Sequence, residues 1–313
     1  MPSFGFMVIR GLFAAAEHLA PGFGGRIAFD LFSRTPPRRS GSAREAEAAS
    51  RAEPYMREGR KHRIETPAGF VIAYDFATCH GRSSAPTVLV LHGWGSRAAH
   101  MTEYIEALDT AGFRVIAIDL PGHGASSGSK LNMATAVAAV ATVAQWFGPF
   151  VAIVGHSFGG AVAANAAVGS IRGTPAVPTQ RLVMVSAPSS MPTLFKDFGK
   201  FLNLGARTQT ALDHRVQDLT GRPLEEFVVA EQLVGKALPV LVLHAPDDKE
   251  IPSREAVALS GAGEHVKLEW TPGLGHRRIL ADPAVARRIV EFVATPVAAS
   301  GKTARLSPSS PSV

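Results

Sequence analysis

The ten residues Val151-Ala152-Ile153-Val154-Gly155-His156-Ser157-Phe158-Gly159-Gly160 begin as an unbroken apolar run and end in a glycine pair. A short continuous apolar run fits a strand buried on both faces. The residues after it, with Ala161, Ala163, Ala164, Ala166 and Ala167, read as a helix whose small side chains let it press onto a sheet. Ser157 therefore falls on a sharp strand-to-helix turn, which lifts its hydroxyl above the sheet edge. Gly155 and Gly159 stand two before and two after it, where side chains would collide. The G-x-S-x-G pattern alone is common by chance. A strand before it and a helix after it make the serine a candidate nucleophile.

A serine hydroxyl is a weak nucleophile at its free pKa and needs a base. His276, in Pro272-Gly273-Leu274-Gly275-His276, lies between an expected strand at 266–270 and a last helix at 283–294. That places it in a loop at the carboxyl edge of the sheet, where sites form. His265 starts a strand and His214 lies in an inserted region, so neither is a good candidate. The stretch His244-Ala245-Pro246-Asp247-Asp248-Lys249-Glu250-Ile251-Pro252 supplies carboxylates after another strand. A buried acid accepts the imidazole N–H and fixes its tautomer. Asp248 is the first choice and Asp247 the rival, and spacing barely separates them. The developing oxyanion needs two N–H donors. One is the backbone of Phe158. The other is expected from the loop His92-Gly93-Trp94-Gly95-Ser96, with Trp94 as donor. His92 resembles a base, but hydrogen bonding within its own loop is the plainer reading.

Around these residues, strands and helices alternate from about residue 87 to residue 294. The pattern predicts an α/β fold with a mostly parallel central sheet and helices on both faces. A hairpin at 62–76, turned by Pro67-Ala68-Gly69, opens the domain. Residues 61–296 are expected to form this domain. Residues 1–60 read as an apolar helix at 3–20, stopped by Pro21-Gly22, followed by a basic linker. None of the candidate site residues lies before residue 59, so that stretch is expected to be dispensable for chemistry. Residues 297–313 are Ala-, Ser- and Pro-rich and read as a disordered tail. Residues 187–238 break the rhythm without a clear strand and read as a small helical cap. Its apolar residues Leu194, Phe198 and Phe201 are candidates for lining an acyl pocket. Ordinary core packing is the competing explanation for them.

Apolar residues make up 46% of the 313, enough for a substantial core. The net charge of +6 suggests nucleic acid or anionic membrane as partners. Much of that charge lies at 34–63 among Ala, Ser and Pro, without the interleaved aromatics that stacking on single strands wants. A solvated linker is the plainer account, and no nucleic-acid partner is expected. The apolar helix at 3–20 either packs back onto the domain or lies on a membrane surface. It is interrupted by charges and has no basic leader, so neither a span nor a secretory signal is expected. The single cysteine, Cys79, allows no internal disulfide and reads as structural. A cytoplasmic location, with peripheral membrane association as an option, fits this composition. No phosphate-binding glycine loop and no metal-ligand spacing occurs, so neither cofactor nor metal is expected.

Taken together, five motifs resemble the α/β-hydrolase superfamily. They are His92-Gly93-Trp94-Gly95, Asp119-Leu120-Pro121-Gly122-His123-Gly124-Ala125-Ser126, Gly155-His156-Ser157-Phe158-Gly159-Gly160, the 244–252 stretch, and Gly275-His276. They occur in the family's order across about residues 86–278. The resemblance favours Asp248 as the acid and implies a structural role for His123. With a serine nucleophile, the resemblance implies the esterase- and lipase-like branch, although His-Gly-Trp-Gly stands where a His-Gly-Gly-Gly lipase motif would be. The expected activity is cleavage of carboxylic esters through an acyl-enzyme on a small or medium apolar acyl group. Alternatives are a related acyl or carbon–carbon bond hydrolase or acyltransferase on the same triad, and a non-catalytic ligand-binding module of the same fold.

Overall fold

A computed structural model describes residues 4–37, 43–76 and 84–296. Cys79 and the 297–313 tail lie outside the described residues. The chain opens with three helices, α1 (Phe4–Leu19), α2 (Pro21–Ser33) and α3 (Ala43–Glu58). The hairpin β1 (Arg60–Thr66) and β2 (Gly69–Asp75) follows. Then come β3 (Thr87–Leu91), α4 (Thr102–Thr110), β4 (Arg114–Asp119), α5 (Met133–Phe147), β5 (Ala152–His156), α6 (Phe158–Val168) and β6 (Leu182–Val185). The inserted region supplies α7 (Met191–Leu202), α8 (Ala206–Thr220) and α9 (Val229–Leu233). The chain returns through β7 (Val240–His244), α10 (Ser253–Ser260), β8 (Val266–Trp270), α11 (Gly275–Arg278) and α12 (Pro283–Ala294).

The eight strands form one sheet in the order β1-β2-β4-β3-β5-β6-β7-β8. Only β1 with β2 and β2 with β4 run antiparallel, and the other pairs are parallel. Strands β3, β5 and β7 are buried at every position. This is why they read as continuous apolar runs rather than alternating ones. Alternate residues serve opposite faces. Leu89, Leu91, Ile153 and Val242 pack with residues of α5, α6 and α10, whereas Val88, Val90, Val154 and Leu243 pack with residues of α4 and α12.

Two sequence expectations need correction. The basic stretch, read as a linker with a helix around 43–51, carries the longer α3, whose Ala52 and Met56 join the core on the α4 side of the sheet. The second concerns residues 21–33, which form the 13-residue helix α2 and are built into the cap. A Cβ on Gly25 would stand 2.6 Å from the backbone carbon of Ala211 in α8, so the two helix backbones touch. Glu17 of α1 accepts from the N–H groups of Arg207 and Thr208 at the start of α8 (2.9 and 2.8 Å). An acidic side chain there satisfies donors that have no partner within their own helix. Among the described residues no helix is long and apolar enough to cross a membrane.

Candidate active site

Ser157 sits at the end of β5 with φ 52° and ψ −125°, a region that non-glycine residues rarely occupy. The turn is pinned because Ser157 N–H donates to Val185 O (2.8 Å) while Gly160 N–H donates to Ser157 O (2.9 Å). A Cβ on Gly159 would drive into the carbonyls of Leu91 and His92, so β3 and the start of α6 approach as closely as backbones can. The same closeness sets the neighbouring loop. A Cβ on Gly93 would lie 2.9 Å from that of Ser157.

The loop after β7 and the loop after β8 meet beside this turn. His276 Nδ1 lies 2.8 Å from Asp248 Oδ2, with both side chains buried. The other oxygen of Asp248 accepts from Glu250 N–H (2.8 Å) and Ile251 N–H (2.9 Å). Burial alone would raise the Asp248 pKa. The bonds from His276, Ile251 and Glu250 outweigh it and bring the carboxyl down to about 2. Asp248 is thus ionised at neutral pH, and His276 Nδ1 must carry the proton it donates. Asp247 does something different: half-exposed, it accepts from Gly273 N–H (2.8 Å) and faces Arg278 (3.6 Å). It shapes the loop that presents His276.

His156 completes the link between loop and elbow. Burial pushes its pKa down to about 3, so it is neutral. Its Nε2–H donates to the backbone oxygen of His276 (2.9 Å), and the two rings stand 4.7 Å apart. The residue before the serine therefore holds the loop that carries the histidine. This bond was not foreseen, because position x of G-x-S-x-G carries no sequence requirement.

The loop bearing Trp94 is strapped by two histidines. Leu120 N–H donates to His92 Nε2 (2.9 Å), which leaves His92 Nδ1–H to donate to Gly93 O (2.7 Å). Gly95 N–H donates to His123 Nε2 (2.9 Å), so His123 Nδ1–H faces Pro121 O (3.1 Å). Burial lowers the pKa of both rings, and each stays a neutral donor–acceptor bridge. Asp119 secures the same turn, accepting from Ala98 N–H and Ala125 N–H (2.8 and 2.9 Å). Glu255, another residue missed in the sequence, reaches from the first turn of α10 to Ser189, accepting from its N–H (3.0 Å) and hydroxyl (2.6 Å). That bond anchors the start of the cap.

Over the elbow lies a chain of aromatic rings. Trp94 is edge-on to Phe158 at 5.7 Å, and Phe32 of α2 is 6.3 Å from Trp94. Phe32 in turn packs on Phe195 (4.3 Å) and Phe198 (5.1 Å) of α7. Phe29, Phe32, Met191, Phe195, Leu224 and Phe227 line a small apolar cavity under the cap. Leu194 and Phe198 are half-buried against the core, but Phe201 turns out of it. Its ring meets Phe6 of α1 at 4.6 Å, so it belongs to the contact with the N-terminal helix rather than to this cavity. Phe32, which precedes residue 59, is part of the ring chain that reaches Trp94.

The model of the alpha/beta hydrolase family matches residues 88–288. The chain belongs to that family. It is 25% identical over 235 residues to human Protein ABHD12B, covering 68% of this chain and 61% of that one. It is 27% identical over 233 residues to the lysophosphatidylserine lipase ABHD12 of Danio rerio, covering 69% and 60%. The chain thus spans about three-fifths of the length of these curated relatives. Among solved structures, it resembles the ferulic acid complex of Est1E from Butyrivibrio proteoclasticus, with TM-score 0.58, 22% identity, and 74% and 97% of the two chains covered. The esterase RhEst1 from Rhodococcus sp. is similar at TM-score 0.55 and 20% identity, with 75% and 98% covered. At such identities these likenesses speak for the fold alone.

Proposed function

We propose that the chain hydrolyses carboxylic esters of apolar acyl groups through an acyl-enzyme. Ser157 is the nucleophile, His276 the base and Asp248 the acid that orients it. In this reading His276 Nε2 takes the Ser157 proton as Oγ attacks the acyl carbonyl. The resulting oxyanion is held by the backbone N–H groups of Phe158 and Trp94, which stand ready without reorganisation. His276 then returns the proton to the leaving alcohol. Water repeats the sequence on the acyl-enzyme, with His276 again as base.

The observation that carries the proposal is the buried 2.8 Å pair of Asp248 and His276, tied through His156 to the strained turn at Ser157. The rings of α2 and α7 that lead to Trp94 support an apolar acyl group, because an unpaired charge among them would be costly. Leu194 and Phe198 are proposed to border that acyl site. The Danio rerio relative is a lipase by name, which agrees with an acyl-lipid substrate. The test is labelling by a fluorophosphonate probe, followed by an ester panel graded in acyl length. Ser157→Ala should abolish labelling with the fold intact. Labelling that survives would refute the assignment.

A further inference from the structure

Helix α1 has two apolar faces. One, through Phe6 and Phe13, packs against the protein: Phe13 is buried and Phe6 meets Phe201. The other carries Met7, Val8, Leu12, Ala15 and Leu19, where Val8, Leu12, Ala15 and Leu19 follow the i, i+4, i+7, i+11 spacing of a single stripe. A helix on the surface of a globular domain normally turns a polar face outward. Here Met7 is 59% exposed, Leu12 65% and Leu19 84%. Across the break at Ala20, α2 adds exposed Phe23 and Ile27.

On α1, α2 and α7 the acids are engaged by other groups and basic side chains remain. The only carboxylate of α1, Glu17, is turned inward onto the first N–H groups of α8. Arg10 lies over the Phe6 ring, Arg26 of α2 and Lys196 of α7 are exposed, and Asp197 of α7 pairs with Lys200 (3.1 Å). Asp30 is engaged by Lys130 (3.0 Å). The 16 residues of α1 are too few to span a bilayer and suit a helix lying in its interface.

We propose that the outer stripe of α1, continued by Phe23 and Ile27, docks the protein on an anionic lipid surface. The apolar side chains enter the acyl boundary, and Arg10, Arg26 and Lys196 meet headgroup phosphates. The docked face is continuous with the site. Phe6 rests on Phe201 of α7, the same helix places Phe195 and Phe198 on Phe32, and Phe32 meets Trp94. An acyl lipid leaving the membrane would meet this apolar body before reaching Ser157. The inference thus rests on the ester-hydrolase reading for its purpose, while docking itself needs no working serine.

Flotation with vesicles separates the two. Full-length wild type and Ser157→Ala are mixed with vesicles of phosphatidylcholine plus phosphatidylglycerol, or of phosphatidylcholine alone. Both proteins should float with the anionic vesicles, and less with the neutral ones. Val8→Asp with Leu12→Asp should lower the bound fraction at least about tenfold, because charges replace the inserted side chains. The milder pair Leu12→Ser with Leu19→Ser should lower it less. The Asp and Ser stripe variants should keep the melting behaviour and hydrolysis of a short water-soluble ester, since these side chains are exposed. Wild type that fails to float, or Asp variants that float like wild type, would overturn the proposal. So would a wild-type dimer that the Asp pair converts to monomers, which would assign the stripe to a second copy. Absence of ester hydrolysis in wild type would instead strike the function and leave the vesicle result standing.

Discussion

Replacing Asp248 by Asn changes one atom, and the surroundings dictate how the amide must lie. Oδ1 keeps the N–H groups of Glu250 and Ile251, at 2.8 and 2.9 Å. The new NH2 group therefore takes the position of Oδ2, 2.8 Å from His276 Nδ1. Two donors cannot face each other there, so Nδ1 must give up its proton and accept. The ring proton moves to Nε2, the nitrogen assigned to receive the Ser157 proton. In a serine triad this wrong tautomer costs roughly 10⁴-fold in kcat, or about 5.5 kcal/mol of barrier. We expect Asp248→Asn to lose about three to four orders of magnitude in kcat on a soluble ester, with KM nearly unchanged. Asp247→Asn keeps an oxygen for Gly273 N–H and should lose less than about tenfold. The assay is steady-state hydrolysis with burst titration to count working sites. If Asp248→Asn kept a tenth of wild-type kcat, or Asp247→Asn proved the worse variant, the assignment of the acid would be wrong.

The same carboxylate should stabilise the fold. Its pKa falls from 3.8 to about 2 on folding, so its contribution, on the order of 2 kcal/mol, is present above pH 3.8 and lost as pH falls toward 2. Denaturant unfolding across that window should show the loss in wild type and not in Asp248→Asn. Phe198→Ala should shift the preferred acyl length, changing relative kcat/KM by about 10- to 200-fold while sparing the shortest ester. An unchanged chain-length profile would place the pocket wall elsewhere. Gly25→Leu should wedge α2 from α8 and cost about 1–3 kcal/mol in a melting experiment, with activity falling as Phe32 shifts. Unaltered stability and activity would mean that α2 is not a working part of the cap.

The core of the fold was legible because its signals are local. Buried parallel strands write themselves as apolar runs, and the elbow needs small residues at fixed offsets from Ser157. The family's motif order identified the five site loops, and the structure brings them to one sheet edge. What stayed hidden depends on long-range contacts. Glu255 to Ser189 spans 66 residues, and His156 to His276 spans 120. No spacing rule links such positions. The attachment of α2 to α8 was equally invisible, since a Gly-Gly pair reads as flexibility until a second backbone fills the space. Phe201 was open to two readings, acyl pocket or packing, and sequence spacing could not show that its ring would meet Phe6 of another helix.

The bond from Glu17 to Arg207 joins positions 190 residues apart in the chain. During synthesis α1 therefore leaves the ribosome well before the helix it docks on. At about 5–20 residues per second the interval is roughly 10–40 s. Through that time both apolar faces of α1 are uncovered, and the nascent chain offers chaperones an early, greasy handle. A strain short of such helpers should accumulate aggregated chain, and deleting α1 should relieve the aggregation even as it strips the cap of its N-terminal support.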